Sequence, residues 1–409
     1  MDASDSATMA RTKYREAVAQ LTKGDTVRAL ALLADAAGAW PLQPAYSNAL
    51  LAVASRIHDQ AMITTALQRA ADIGVALSNS GASTLRAELS GPSLQKLLWK
   101  QDSLRAPQLR STTRLVLNDS LLFPEGIAVD VRTGTLYVSS ILHGNIFKVN
   151  ATGIAQPLLN NTEHIGSVLG IVVDTLRNLM WAATIPSPLM QDTTMRGATT
   201  PSLIAISLAD GHVTRRIPMP ANVTNASPGD IALSSIGDVF VADAQAGILW
   251  RLKNGADTLV AIQHRLFHSL QGMVPSKDGR TVWVADYSVG LLRVDLRNLS
   301  VTRVADIAGQ TTVGIDGMVS FGNSFVAVQN GNDPARVVQI TLDDSGTRVR
   351  KLTVIDQHSL ATSPTGGTIV GDTFVYIANS LWDGVDASGK LPATAPHPKP
   401  ILLSLPLKQ

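Results

Sequence analysis

Four oxygen-bearing side chains occupy corresponding places in a repeated sequence pattern. Glu125, Gln271 and Asp316 each stand directly before a glycine that begins an apolar segment, and Asp230 takes the place of that glycine in another copy. Close carboxylates repel one another in a confined space unless a cation or a proton neutralises them. Oxygen ligands of this kind favour a hard divalent ion such as Ca²⁺ or Mg²⁺. If the copies converge in space, these residues predict a cation site.

The pattern that carries these residues recurs from about residue 120 to the end of the chain. Each copy has a turn, an apolar strand, a second turn and another apolar strand, as in FPEGIAVDVRTGTLYVSS at 123–140. Six copies, separated by 44, 60, 42, 45 and 50 residues, are anchored at Gly126, Gly170, Asp230, Gly272, Gly317 and Gly367. A period of about 40–50 residues built from short strands is typical of propeller blades. We therefore predict a six-bladed β-propeller over 113–407.

In such a propeller the innermost strand of every blade lines the central channel. The starts of these strands converge at one mouth, and this would bring the four oxygen-bearing residues together. An acidic residue before glycine is also common turn chemistry, so a turn role for Glu125 and Asp316 is the alternative. Ring closure should pair strands from both chain ends, and we expect 113–118 or 401–407 to complete the last blade.

The N-terminal part of the chain has helical periodicity instead. Over residues 9–77 apolar side chains recur at helical spacing, and Asp25 is a natural N-cap. A shift of 34 residues places Asp25 on Asp59 and Leu33 on Leu67, a repeat length that resembles tetratricopeptide repeats. Two imperfect units predict either a small bundle that caps the propeller or a groove for a protein partner.

The predicted architecture is therefore mainly β, a six-bladed propeller preceded by a small all-α helical-repeat domain. Residues 78–112 form a connector between the two, with a short helix expected at 93–99. Other polar and aromatic residues near the strand ends have less specific roles. Asn330 is expected to bond backbone groups between blades, while Tyr287 and Trp382 either shape the channel entrance or pack on the surface.

Composition excludes several classes of function. The net charge is only +2, aromatic residues make up 4% of the chain, and no segment concentrates Lys or Arg, so nucleic acid is not an expected partner. The absence of cysteine excludes disulfides, thiolate nucleophiles and Cys-ligated zinc. The chain has no G-x-S-x-G elbow for a serine nucleophile and no glycine-rich phosphate loop.

No apolar run approaches the roughly 20 residues of a membrane span. The first residues, MDASDSATMARTKYREA, have no charged segment followed by an apolar core, so this chain shows no signal peptide. The expectation is a soluble, cytoplasmic protein, or a periplasmic or secreted one if a signal has been removed.

The propeller motifs resemble those of the SMP-30/gluconolactonase/LRE-like family. PEGIAVD at 124–130 resembles the first-blade motif of that family, and IDGM at 315–318 resembles its later D-G-M motif. The resemblance implies that Glu125 and Asp316 bind a metal ion and that Asp316 is a candidate catalytic base. Gln271 stands where the family has a metal-binding Asn, and Gly229 stands where another liganding Asn is expected, with Asp230 matching the Asp that follows.

These observations lead to a functional hypothesis with alternatives. Glu125, Gln271 and Asp316 would hold a divalent cation, most simply Ca²⁺ with Mg²⁺, Zn²⁺ or Mn²⁺ as alternatives. Asp316 or Asp230 would then activate water for hydrolysis of a small lactone or sugar-derived ester. The first alternative is a non-catalytic binding or scaffold protein that uses the propeller and the helices for partners. A sensor or transporter of a small sugar-like ligand is a further possibility.

Overall fold

Six four-stranded antiparallel sheets form the C-terminal part of the chain in the computed structural model. The structure describes residues 3–78, 85–86, 91–159, 163–192, 199–386, 388–392 and 394–408. Blades one to five take their four strands in chain order, with sheet orders β2–β5, β6–β9, β10–β13, β14–β17 and β18–β21. The predicted six-bladed propeller is confirmed.

The strands of the propeller are short. In chain order their bounds are β1 Thr112–Val116, β2 Ile127–Asp130, β3 Thr135–Ser140, β4 Asn145–Val149, β5 Ala155–Pro157, β6 Ser167–Asp174, β7 Leu179–Ile185, β8 Ser202–Ser207, β9 Val213–Pro218, β10 Pro228–Leu233, β11 Val239–Asp243, β12 Ile248–Leu252, β13 Leu259–Gln263, β14 Leu270–Pro275, β15 Thr281–Asp286, β16 Gly290–Asp295, β17 Val301–Arg303, β18 Met318–Phe321, β19 Ser324–Gln329, β20 Arg336–Leu342, β21 Val349–Asp356, β22 Gly367–Val370, β23 Thr373–Ile377 and β24 Ile401–Pro406.

The sixth blade closes the ring by combining β1, which precedes the other blades in the chain, with β22, β23 and β24, which follow them. Its order is β1-β24-β23-β22, so β1 is its outermost strand and β24 lies between β1 and β23. Thr112 pairs with Ser404 and Val116 with Ile401 in this antiparallel contact. We predicted that 113–118 or 401–407 completes the last blade, and strands from both segments take part in it. Because the chain runs from β1 in blade six directly into β2 in blade one, this closure joins the last blade to the first.

The hydrophobic core lies between neighbouring blades. Separate buried clusters join blades one and two, two and three, four and five, five and six, and six and one. The cluster that joins blades three and four also contains the buried residues of the N-terminal helices. Since the blades pack face to face in this way, the inner strands are held rigidly around the channel.

Five helices precede the propeller strands in the described part of the chain. Their bounds are α1 Ala3–Thr22, α2 Thr26–Ala39, α3 Pro44–Arg56, α4 Gln60–Asp72 and α5 Pro92–Arg105. Asp25 accepts a hydrogen bond from the backbone N–H of Arg28, so the predicted N-cap is present, and Asp59 caps α4 in the same way by accepting from the backbone N–H of Met62. None of the described helices is long and apolar enough to cross a membrane. The tetratricopeptide character of this region stays a prediction.

The connector contains a longer helix than the sequence pattern predicted. Residues 79–84 and 87–90 of the predicted 78–112 segment lie outside the described residues. The helix expected at 93–99 continues to Arg105, because nothing between Trp99 and Arg105 breaks it. It ends where Ala106 precedes Pro107, a position that disfavours helical backbone.

Turns of the helical domain are hydrogen-bonded to blades four and five. The indole N–H of Trp40 donates to the carbonyl of Ser288 at 3.0 Å, and the hydroxyl of Thr311 donates to the carbonyl of Leu42 at 3.1 Å. The guanidinium of Arg336 donates to the carbonyl of Gly74 at 2.8 Å. These contacts come from two separate turns, so the helices form a fixed cap on this side of the propeller.

Candidate active site

A cavity of about 750 Å³ occupies one mouth of the central channel, and all four predicted site residues line it. Glu125 and Asp316 lie two residues before β2 and β18, while Asp230 and Gln271 lie within β10 and β14. These elements belong to blades one, three, four and five. The convergence that the repeat predicted is therefore present, and Asp230 does face the channel.

The glycines next to these residues allow the inner strands to approach closely. A Cβ atom added at Gly272 would lie 2.4 Å from the backbone nitrogen of Met318 and 2.5 Å from the carbonyl oxygen of Asp316. The amide of Gly272 also donates a hydrogen bond of 2.9 Å to that carbonyl. Neither Gly126 nor Gly317, which follow Glu125 and Asp316, has a positive φ angle. The glycines that follow the acidic residues therefore allow neighbouring strands to come close, and they do not form left-handed turns.

We expect Gly272→Ala to lower the free energy of unfolding by about 2 kcal/mol, because the backbone atoms that it would meet belong to another blade. Gly229→Ala is the matched control, since an added Cβ there meets its nearest atom at 3.8 Å. Urea denaturation of both variants measures the difference. Equal stabilities would show that the inner strands are not tightly apposed.

Glu125 is held by an aromatic residue from the long loop before β24. The indole N–H of Trp382 donates to the Glu125 carboxylate at 2.5 Å, and the Trp382 ring packs edge-on against Phe123. The backbone carbonyl of Glu125 accepts a hydrogen bond from the Thr365 hydroxyl at 3.0 Å. Burial, and then the charge of Asp316, raise the pKa of Glu125 well above its usual value, while the Trp382 hydrogen bond lowers it.

Asp316 is held by Asn330, which directly follows β19, the second strand of the same blade. The Asn330 side-chain N–H group donates to the Asp316 carboxylate at 2.6 Å and to the carbonyl of Pro364 in blade six at 2.8 Å. The expected bond between blades is confirmed, and the same amide also orients a channel carboxylate. Burial raises the pKa of Asp316 to about 6, and the Asn330 hydrogen bond opposes that rise.

The side chains of Asp230 and Gln271 are not held by other protein groups that the structure describes. Neither side chain has a hydrogen-bond partner among the residues that the structure describes. Burial, together with the negative charge of Asp316, raises the pKa of Asp230 to about 8. Both side chains keep part of their surface open to the channel. They are therefore available to a ligand or to water in the cavity.

The channel mouth is acidic. Its described lining has five carboxyl groups and no Lys, Arg or His, the carboxyl groups being those of Glu125, Asp230, Asp316, Asp333 and Asp383. No described basic side chain on the lining compensates the charge that would develop as these groups ionise. Such a site favours either retained protons or a bound cation.

The donor set fits a hard cation in its chemistry and charge. Glu125, Asp230, Gln271 and Asp316 offer only oxygen ligands with no competing basic group in the lining. Among the described residues, however, no three His, Asp or Glu side chains stand close enough together to hold one ion. The amide oxygen of Gln271 is thus needed as a ligand beside the acidic ones, and the arrangement is an open site rather than a closed cage.

Without a divalent cation, we expect the protein to become less stable as the pH rises from about 5.5 to 8. The folded state keeps the protons of Asp316 and Asp230 up to pKa values of about 6 and 8, whereas an unfolded chain releases them near 3.8. The folded state therefore binds more protons throughout this window, and its stability falls as the pH rises. With screening by channel water, we expect a loss on the order of 2 kcal/mol.

Urea denaturation in the presence of a chelator at a series of pH values measures this slope. Asp230→Asn removes the more strongly shifted group and should flatten it. Stability that stays constant or increases over the window would contradict the placement of the two carboxyl groups.

The comparisons with known proteins concern the fold. No protein-family model and no curated protein matches the chain. Among solved structures, the PQQ-bound aldose sugar dehydrogenase of Streptomyces coelicolor is 14% identical with a TM-score of 0.48, over 73% of this chain and 99% of that one. A gluconolactonase of Xanthomonas campestris is 16% identical with a TM-score of 0.49, over 72% of this chain and 89% of that one.

A third solved structure is a catalytically inactive virginiamycin B lyase of Staphylococcus aureus with quinupristin. It is 13% identical with a TM-score of 0.46, over 73% of this chain and 99% of that one. At such identities the likeness concerns the propeller architecture alone. What the channel does must be argued from its own residues.

Proposed function

We propose that the channel binds one divalent cation, most simply Ca²⁺, and hydrolyses a lactone or related ester of a small molecule. The observation that carries the proposal is the convergence of carboxyl groups from separate blades on a cavity without basic residues in its described lining. Maintaining several carboxyl groups in such a place is costly for a protein that does not use them. A bound cation offsets that cost and also gives the site its chemistry.

The proposed ligands are Glu125, Gln271 and Asp316. A cation bound there would polarise the carbonyl group of the substrate. Trp382 and Asn330 orient the carboxylates of Glu125 and Asp316, so the ligand oxygens are fixed before a ligand arrives. The longer Gln271 side chain in place of Asn reaches further into the cavity by one methylene group.

The proton transfers are assigned to carboxyl groups of the channel. Asp316, or Asp230 beside it, accepts a proton from the attacking water as the new carbon–oxygen bond forms. The ring carbon–oxygen bond then breaks, and the same carboxyl group returns the proton to the departing alkoxide. The product is the hydroxy acid, with one water consumed. Asp230 suits this role because no described side chain or backbone group hydrogen-bonds to its carboxylate.

Membership of the SMP-30/gluconolactonase-like family is part of the proposal. The supporting features are Glu125 before β2, Asp316 before β18 and their common cavity. The chain departs from the family pattern at Gly229, which has no side-chain oxygen, and at Gln271. Asp230, which lines the cavity next to Gly229, supplies an acidic oxygen in this part of the site.

Hydrolysis of a panel of lactones by the purified chain tests the proposal. After treatment with a chelator we expect the rate to fall by about 100-fold, and addition of Ca²⁺ should restore it. A rate that is the same with and without chelator would contradict the role of the cation. The absence of both lactone hydrolysis and cation binding would leave the non-catalytic binding or scaffold function as the better hypothesis.

A further inference from the structure

Tyr287 lines the same cavity as the four oxygen-bearing site residues and has no part in the steps above. It follows β15 in the turn that leads to β16 of blade four. Among the described residues its hydroxyl has no hydrogen-bond partner. The Tyr287 side chain is half-buried, and tyrosine hydroxyls in such places usually have a partner. The hydroxyl is therefore available to water or to another molecule in the cavity.

The phenol end of Tyr287 lies against the segment that holds Asp316. A Cβ atom added at Gly331 would lie 3.2 Å from Cζ of Tyr287, the carbon that bears the hydroxyl. Gly331 directly follows Asn330, whose amide donates to the Asp316 carboxylate at 2.6 Å. The hydroxyl therefore reaches the part of the cavity where Asp316 lies. Burial, and then the charge of Asp316, raise the pKa of Tyr287, so that the phenol stays a neutral donor.

The turn that carries Tyr287 is fixed by the propeller. The carboxylate of Asp286 accepts hydrogen bonds of 2.7–3.0 Å from four backbone N–H groups, those of His268, Ser269, Ser288 and Val289. The amide of Tyr287 donates to the carbonyl of Ser269 at 2.8 Å. The carbonyl of Tyr287 accepts from the amide of Gly314 at 3.1 Å, and the carbonyl of Gly314 accepts from the amide of Gly331 at 3.0 Å.

The helical domain holds the same turn from outside the propeller. Gln43 donates its side-chain N–H to the carbonyl of Tyr287 at 3.4 Å, and Trp40 donates its indole N–H to the carbonyl of Ser288 at 3.0 Å. The ring of Trp40 is in turn covered by the guanidinium of Arg303, at 5.2 Å from its centroid. The position of a channel side chain is thus coupled to the turn between α2 and α3.

We infer that the Tyr287 hydroxyl donates a hydrogen bond to the reacting carbonyl oxygen of the substrate, and that the helical domain positions this donor through Gln43. The inference rests on the proposed function and adds a residue to it. The carbonyl oxygen gains negative charge as water attacks, and a donor fixed in advance stabilises that charge. No covalent bond to Tyr287 forms or breaks. The helical domain then contributes to catalysis by positioning Tyr287 and is not only a surface for partners.

Tyr287→Phe removes only the hydroxyl. We expect kcat for lactone hydrolysis to fall by about 100-fold, with KM changed by less than about threefold, because the donor acts mainly on the charged oxygen. Tyr137→Phe is the matched control, a buried propeller tyrosine whose hydroxyl also has no described hydrogen-bond partner and which lies outside the channel cavity. That variant should keep the wild-type kcat. Equal kcat values for wild type and Tyr287→Phe would overturn the inference.

The positioning role of Gln43 is tested by coupling to Tyr287. Gln43→Ala should lower kcat by about fivefold in the wild-type background and have no effect in Tyr287→Phe, because Gln43 acts through the hydroxyl. Equal losses in both backgrounds would overturn the positioning role, since they would reflect general damage to the helical domain.

A binding experiment separates this inference from the proposed function. δ-Valerolactam, which keeps the carbonyl oxygen and resists hydrolysis, should bind the wild type about tenfold more tightly than Tyr287→Phe. If the wild type hydrolyses no lactone but this difference in lactam affinity is found, hydrolysis is wrong and the contact with the carbonyl stands. If the wild type hydrolyses lactones and neither kcat nor lactam affinity responds to Tyr287→Phe, only the inference fails.

Discussion

Asp316→Asn is expected to lower the rate of lactone hydrolysis by about 10³-fold, the largest effect that we predict for a single substitution. The carboxylate is both a proposed cation ligand and a candidate base, and Asn can take neither role fully. Asn is nearly isosteric with Asp, so the hydrogen bond with Asn330 can be replaced by one between amides. The loss should therefore appear in kcat/KM and not as a failure to fold.

Asp383→Asn is the control for Asp316→Asn. Asp383 contributes a carboxyl group to the same cavity but lies exposed on the loop after β23. Its substitution should change the rate by less than about threefold, because a charge at the exposed rim is screened by water. Comparable losses in both variants would mean that the overall acidity of the mouth matters and that the inner-strand position does not.

Calcium is expected to stabilise the folded protein strongly at pH 8. A ligand that binds the folded state alone adds about 2.7 kcal/mol of stability at a concentration 100 times its dissociation constant. The gain should be larger at pH 8 than at pH 6, because at pH 8 the metal-free carboxyl groups have lost more of their protons and repel one another, and the ion has fewer protons to displace. Thermal unfolding with and without Ca²⁺ at pH 6 and pH 8 measures it.

The stabilisation by Ca²⁺ should require the channel carboxylates. In a Glu125→Gln, Asp316→Asn double variant the metal-free protein should be at least as stable as the wild type at pH 8, and Ca²⁺ should add nothing. Undiminished stabilisation of that variant by Ca²⁺ would locate the binding elsewhere on the molecule and remove the basis of the proposed function.

The architecture could be predicted because each blade repeats the same local sequence pattern. Alternating apolar strands and Gly or Asn turns recur at the blade period, so the number of blades and the position of Glu125, Gln271 and Asp316 in their blades follow from sequence. The inner-strand position is what brings these residues together. The sequence alone could not show that Gly272 allows a strand approach of this kind, since a glycine at the start of an apolar segment also serves in turns.

The residues that orient the site were harder to predict because they come from irregular or distant segments. Trp382 lies 257 residues from its partner Glu125, on a loop without periodicity. Asn330 ends a strand in a context shared with other blades, and only the structure shows that its amide reaches both Pro364 and Asp316. The contact of Gln43 with Tyr287 depends on how the helices pack on blade four, which local pattern does not encode.

The most direct test of the account is a crystal structure of the protein soaked in Ca²⁺, inspected for anomalous scattering in the channel. We predict one strong peak about 2.3–2.6 Å from carboxylate oxygens of Glu125 and Asp316 and from the amide oxygen of Gln271. A channel mouth without a peak at saturating Ca²⁺, or a peak only on the outer surface of the blades, would contradict the claim that these oxygens form one cation site.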